Sequence, residues 1–305
     1  MAFLPAYLSL HQTGELFERV DQAEAMLTEC RVCPRECRVD RAAGVLGKCK
    51  VGAAPMVSAY HAHTGEEPPL AGVFGSGTIF FTGCNLACVY CQNYDISHDR
   101  VGEVVSVEAL AEMMVALQNR GCHNINLVAP THQVPQILAA LPSAIERGLM
   151  VPLVYNCGGY ESLESLRLLD GVVDIYMPDL KYADADVGRE LSGVPDYPQR
   201  SRAAVAEMHR QVGDLVVDRR GVAQRGLIVR HLVLPGGLAG TAAMARFVAE
   251  EISPSTYLNL MDQYYPCFMA FGHPLLARRA TEREFAAAVL AVREAGLTRV
   301  EGIPA

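Results

Sequence analysis

The sequence predicts an α/β chain: a partial (β/α)6 barrel of parallel strands with an N-terminal Cys-rich, metal-binding extension. Three observations predict it. Between residues 75 and 265, short apolar and β-branched runs alternate six times with segments of helical period. The C-terminal ends of those runs carry polar or metal-binding groups, as the strand ends of barrel enzymes do. The cysteines fall into two groups, Cys30 to Cys49 upstream of the alternation and Cys84 to Cys91 after its first strand. Six units joined by right-handed crossovers curl into a barrel but are too few to close an eight-stranded one. An open doubly wound sheet would show the same alternation, and the pattern alone does not separate the two.

Three segments follow from this reading: an extension over residues 1–74, the barrel over 75–265 and a helical tail over 266–305. In the extension, Leu16, Val20, Ala23 and Leu27 fall at helical spacing. Cys30, Cys33, Cys37 and Cys49 follow as C-x2-C-P-x2-C and then Gly47-Lys48-Cys49. Four thiols in twenty residues suit a closed site, either tetrahedral zinc or a fully ligated iron–sulfur cluster. His61 and His63 share one face of an extended stretch, which suits either a metal or a solvated loop. Glu66-Glu67-Pro68-Pro69 reads as a stiff extended lead into the barrel.

The first barrel strand, Gly77 to Thr82, feeds the Cys84 loop. Ser106 caps a helix carrying Leu110, Met113, Met114 and Leu117 that stops at Gly121. Strand two is Asn124 to Ala129, ending in Pro130-Thr131-His132, and its helix is kinked or split at Pro142. Val151 to Tyr155 is strand three, running into Asn156-Cys157-Gly158-Gly159, and a short helix spans Leu163 to Leu169. Val172 to Tyr176 is strand four and ends in Asp179-Leu180-Lys181. A helix with Val205, Met208 and Val212 precedes strand five, Leu227 to Leu234, which carries Arg230 and His231. Thr241 to Ile252 is helical and Tyr257 to Met261 is strand six. In the tail, Thr281 and Glu284 form a capping box for a packing helix.

The chemistry concentrates at Cys84, Cys88 and Cys91, spaced C-x3-C-x2-C with no further Cys until Cys122. In electron-transfer proteins each iron of a [4Fe–4S] cluster is capped by a Cys thiolate. Three thiols on one loop leave one iron open to a small ligand. A zinc site or unrelated core thiols are the bland alternatives. Singly, His132 and His231 also suit core histidines, Asp179 with Lys181 a buried ion pair, and Cys122 and Cys157 small buried hydrophobes.

Composition narrows the class. The chain has 305 residues, 50% of them hydrophobic, and a formal net charge of −8, so no basic footprint for nucleic acid is expected. Arg230 and His231 interrupt the longest apolar run, so no membrane span is expected. The first twenty residues do not read as a signal peptide, and ten Cys without an export signal point to the reducing cytoplasm.

Cys84, Cys88, Tyr90 and Cys91 match C-x3-C-x-(aromatic)-C, and on these residues the chain resembles the radical S-adenosylmethionine (SAM) superfamily. The resemblance implies a partial barrel and a [4Fe–4S] cluster whose open iron chelates the methionine part of SAM. It also implies reductive cleavage to a 5′-deoxyadenosyl radical that abstracts a hydrogen atom. Within the superfamily the chain is most similar to the pyruvate formate-lyase activating enzyme-like group, in a branch with an upstream Cys group and a Glu-Glu-Pro-Pro-Leu lead. By that resemblance Tyr90 packs on adenine, Lys181 holds the SAM carboxylate beside Asp179, and Arg230 and Asn156 complete the pocket. The group's Gly-Gly-Glu, which binds the SAM amino group, is replaced by Ala129-Pro130-Thr131-His132, so backbone carbonyls or Thr131 stand in for it. The ferredoxin-like Cys insertion of many glycyl-radical activases is absent.

The expected function is therefore SAM cleavage and hydrogen abstraction from a protein or peptide, with a one-electron donor such as flavodoxin or ferredoxin as partner. Radical chemistry on a small metabolite is the alternative among enzymes. An iron–sulfur carrier or a zinc-stabilised scaffold is the alternative outside them.

Overall fold

The computed structural model describes residues 3–303, so the outermost ends of the expected extension and tail lie outside the described residues. The chain opens with α1 (Tyr7–Thr13) and α2 (Glu15–Ala25), joined at Gly14. No helix or strand spans residues 26–55. β1 (Met56–His63) and α3 (Pro68–Ala71) lead into β2 (Ser76–Phe81). After the Cys loop come α4 (Tyr94–Ser97), β3 (Glu103–Val104) and α5 (Val107–Asn119). The alternation continues through β4 (Ile125–Val128), α6 (Val134–Glu146), β5 (Leu153–Cys157), α7 (Leu163–Leu168) and β6 (Ile175–Pro178). Next are α8 (Ala185–Ser192), α9 (Tyr197–Val212), β7 (Val216–Val217) and β8 (Ala223–Leu232). The chain ends with α10 (Thr241–Phe247), β9 (Tyr257–Met261), α11 (Glu282–Glu294) and β10 (Arg299–Glu301).

The strands form one sheet in the order β10-β9-β8-β6-β5-β4-β2-β1-β3, with β7 paired to β8. From β2 to β10 the neighbours along this order are parallel. This is an α/β fold with a largely parallel sheet, the arrangement of a partial (β/α) barrel. The central strands read as near-continuous apolar runs because both faces are buried, as in Leu153–Cys157. Leu110, Met114 and Leu117 of α5 and Ile137, Leu138 and Leu141 of α6 pack onto them at helical spacing.

The structure changes several local expectations. β10 adds a seventh parallel strand beyond the six read from the alternation; at three residues it is too short for a periodicity signal. β1 is a strand in its own right, antiparallel to β2, and β3 pairs with its far side to form the edge opposite β10. Pro68 and Pro69 are not an extended lead; they start α3, where a missing N–H costs nothing because the first turn has no acceptor for it. α6 runs through Pro142 without a split. The lost bond lies near its C-terminus, and the buried apolar face compensates. α8, capped by Asp184 through the N–H groups of Asp186 and Val187, precedes the helix expected before strand five.

The N-terminal segment is part of this packing. The buried Asp174 accepts hydrogen bonds from the N–H of Ala6 at 3.0 Å and of Leu153 at 3.2 Å, and Tyr7 donates to the Val151 carbonyl. α2 lies against α6. These contacts close the end of the sheet opposite the Cys loop.

Candidate functional site

β2 delivers the chain through Thr82 and Gly83 into the Cys84–Cys91 loop, where Ala87 adopts a left-handed backbone (φ 53°). Neighbouring elements pin the loop. Val89 N–H donates to the Leu191 carbonyl at 2.9 Å, and the Asn85 amide donates to the Tyr160 carbonyl at 2.8 Å. Each thiol accepts a hydrogen bond: Cys84 from Leu86 N–H at 3.3 Å, Cys88 from Ser192 Oγ at 2.9 Å, Cys91 from Ser97 Oγ at 3.1 Å. Burial pushes the Cys84 thiol up to about 12, so the bare side chain stays protonated near neutrality.

The three cysteines line a cavity of about 170 Å³ together with Asn156, Gly158, Asp179, Lys181 and Arg230. β5 supplies Asn156, the turn after β6 supplies Asp179 and Lys181, and β8 supplies Arg230. Asp179 takes Lys181 Nζ at 2.7 Å on one oxygen and Arg230 Nε at 2.8 Å on the other. Arg230 Nη2 donates to Asn156 Oδ1 at 2.8 Å. Burial disfavours the charge on Asp179, but Arg230 and Lys181 outweigh it and hold the carboxyl below the usual carboxylate range. Burial likewise opposes the Lys181 charge, and Asp179 overrides it, so the ammonium stays protonated.

Two residues expected in the pocket lie elsewhere. Tyr90 is buried edge-on against Tyr182 and Tyr264, at 6.3 and 6.0 Å between ring centroids, and does not line the cavity. Thr131 donates to Glu161 Oε1 at 2.7 Å and is turned into the core, while Val128 and Ala129 form that part of the wall. His132 meets the Thr82 carbonyl at 2.8 Å, and His231 lies between the Leu180 carbonyl and Thr241 Oγ1. Burial lowers both imidazoles to about 4, so they are neutral structural donors and acceptors. His61 stacks on Phe80 at 5.4 Å.

Sequence reasoning missed three carboxylates. Glu66 and Glu67 approach the guanidinium of Arg230 at 3.6 and 3.8 Å, held by the amides of Asn126 and Asn259. Glu161 takes the hydroxyls of Thr131 and Tyr155. The adjacent Glu-Glu pair was visible in the chain, but nothing local shows that it folds beneath strand five.

The donor set fits a cluster with three protein ligands. Among the described residues, no three His, Cys, Asp or Glu side chains converge as ligands of one ion. Asp179, the carboxylate on the same wall, is committed to its two cations. A larger, shallow groove of about 650 Å³ runs along α11 beside Phe285, Val289 and Asp262 and contains no cysteine.

The radical SAM superfamily model matches residues 78–220, from β2 and its Cys loop to the turn before β8. The chain is 30% identical over 275 residues to the uncharacterized protein MJ0674 of Methanocaldococcus jannaschii, spanning 87% of this chain and 75% of that one. The chain belongs to the radical SAM superfamily. Its chemistry is accordingly that of the family, with SAM as the source of the radical. A solved structure described as native anSMEcpe with bound AdoMet aligns at a TM-score of 0.49 and 9% identity over 72% of this chain, which spans 61% of that one. Among the described residues, no helix is long and apolar enough to cross a membrane.

Proposed function

We propose that the chain is a radical SAM oxidoreductase of activase-like type, acting on a protein or peptide in the reducing cytoplasm. Cys84, Cys88 and Cys91 would hold a [4Fe–4S] cluster, which, given one electron by a flavodoxin or ferredoxin, would supply reductive cleavage of SAM and hydrogen abstraction from the substrate. One observation carries this reading: the three thiols share a single cavity with Asn156, Asp179, Lys181 and Arg230.

Each side chain has a defined task. Lys181 uses one donor on Asp179 and retains two, enough to grip a carboxylate. Asp179 orients both cations, and Asn156 fixes the far edge of the guanidinium. Leu86 and Val128 keep apolar surface against the reacting centre, which limits water. Ten unpaired cysteines suit a reducing compartment.

A protein or peptide substrate is favoured over a small metabolite by the rim of the site. Tyr94, Met269 and Phe271 are exposed. Phe268 stacks on Tyr94 at 5.3 Å, and Met269 N–H bonds the Val89 carbonyl, so this apolar surface adjoins the Cys loop.

The test is anaerobic. Purified, reconstituted protein given SAM and dithionite should release 5′-deoxyadenosine, and Cys88→Ala should lose both the SAM-responsive cluster and the product. Wild type that keeps its cluster and binds SAM yet releases none would refute the proposal.

A further inference from the structure

The connection over residues 26–55 holds its shape without a helix or strand. Ordered connections of this length need a scaffold beyond their own backbone bonds. Between Cys30 and Cys49 the buried side chains are Cys30, Val32, Cys33, Arg41 and Cys49, so thiols do much of the filling. Cys37 is half-buried, and all four thiols are unpaired. Three accept backbone N–H groups: Cys33 from Arg35, Cys37 from Lys48 at 3.3 Å, and Cys49 from Val51. Such bonds stabilise the thiolate form that a metal takes. Glu36, Arg38 and Lys50, which flank Cys37 and Cys49, adopt φ of 40°, 56° and 61°. Side-chain-bearing residues hold that conformation when the surroundings enforce it. The four thiols also lie within electrostatic reach of one another.

One side chain from this segment reaches the Cys84 loop. Arg35, between Cys33 and Cys37, donates through Nε to the Asn85 carbonyl at 2.8 Å and through Nη2 to the Leu86 carbonyl at 3.4 Å. The same guanidinium takes the carbonyls of Ser192 at 2.8 Å and Gly193 at 2.9 Å. Ser192 in turn donates to Cys88 Sγ. Behind the loop, a Cβ on Gly83 would lie 2.5 Å from the Cys49 carbonyl oxygen, so the two Cys segments touch through their backbones.

We propose that Cys30, Cys33, Cys37 and Cys49 bind a second, fully Cys-ligated iron–sulfur cluster, and that this centre, through Arg35, clamps the Cys84–Cys91 loop against α8. Four unpaired thiols match full Cys ligation of such a cluster, and the sulfide analysis below separates it from zinc. The clamp rests on the proposed role of Cys84, Cys88 and Cys91; the ligand assignment does not.

Two variants test it separately. The full chain with Cys84, Cys88 and Cys91 all changed to Ala, prepared without oxygen and reconstituted with ferrous iron and sulfide, is analysed for iron, sulfide and zinc. About four irons and four sulfides per chain are expected to remain, with a reduced-state EPR signal that SAM does not alter. Zinc without sulfide, or no metal in a chain whose circular dichroism is unchanged, overturns the assignment. This arm contains no radical site, so its outcome is independent of SAM cleavage. Arg35→Ala in the otherwise intact chain should keep the iron at the upstream centre and lose the SAM-responsive EPR signal to a chelator at least tenfold faster than wild type. Equal loss rates overturn the clamp.

Discussion

Arg230 on β8 and Asp179 after β6 are joined at 2.8 Å, Nε to Oδ1, and each has less than a fifth of its side chain exposed. The guanidinium is shared further with Asn156, Glu66 and Glu67, so one cation organises groups from three separate stretches of chain. Breaking such a pair from one side leaves an uncompensated charge in a poorly hydrated place.

Arg230→Gln should therefore destabilise the fold by about 3 kcal/mol in urea unfolding, because Glu66 and Glu67 are left facing each other. It should also weaken SAM binding at least tenfold by calorimetry. In a double-mutant cycle with Asp179→Asn, the two changes should fall short of additivity by about 1 kcal/mol or more. Simple addition would show the contact to be energetically idle.

Glu161 makes the stability depend on pH. Burial raises its carboxyl to about 7, against the pull of the Thr131 and Tyr155 hydroxyls. An unfolded glutamate titrates near about 4.3. Between these values the folded chain keeps a proton that the unfolded chain has released. Glu161's contribution is thus fully present at acid pH and is lost as pH rises to about 7. Glu161→Gln should remove this dependence: relative to wild type, its unfolding free energy should gain about 3 kcal/mol between pH 4.5 and 8. His132 and His231, lowered to about 4 by burial, act in the opposite direction as pH falls through 6.5 to 4, but they are present in both chains and cancel. A pH-independent difference would contradict the assignment.

Ser192 should tune the proposed cluster. Its hydroxyl donates to Cys88 Sγ at 2.9 Å and shares a hydrogen bond with Tyr182. A hydrogen bond to a cluster sulfur favours the reduced, more negative state. Ser192→Ala should retain iron and lower the midpoint potential by about 40 mV, equivalent to one hydrogen bond of about 1 kcal/mol in a one-electron couple. A redox titration followed by EPR measures it, and an unchanged potential would mean that the contact does not bear on the couple.

Much of the parallel sheet and the Cys loop could be read from the chain, because each is local. Buried parallel strands are continuous apolar runs, and three thiols on one loop keep their spacing whatever surrounds them. That Asp179, Lys181, Arg230 and Asn156 share one cavity was legible for a related reason: strand ends in such a sheet converge on one side. What escaped was set by distant packing. Thr131 stands in the right place along the chain, yet Glu161, thirty residues on, draws its hydroxyl inward. Tyr90 belongs to an aromatic cluster with Tyr182 and Tyr264 that no local pattern announces. Glu66 and Glu67 read as part of an extended lead because two prolines follow, but the prolines start α3 and both carboxylates lie against Arg230.

On each side, strands outside the 78–220 stretch that the family model matches pair with strands within it. β1 covers the outer side of β2, while β8, β9 and β10 extend the other side past β6. A gene trimmed to that stretch would encode an adhesive product, with β2 and β6 each offering a row of vacant amides and carbonyls to any passing chain. The outer strands thus act as the molecule's hem, and engineering of the catalytic half must carry them along.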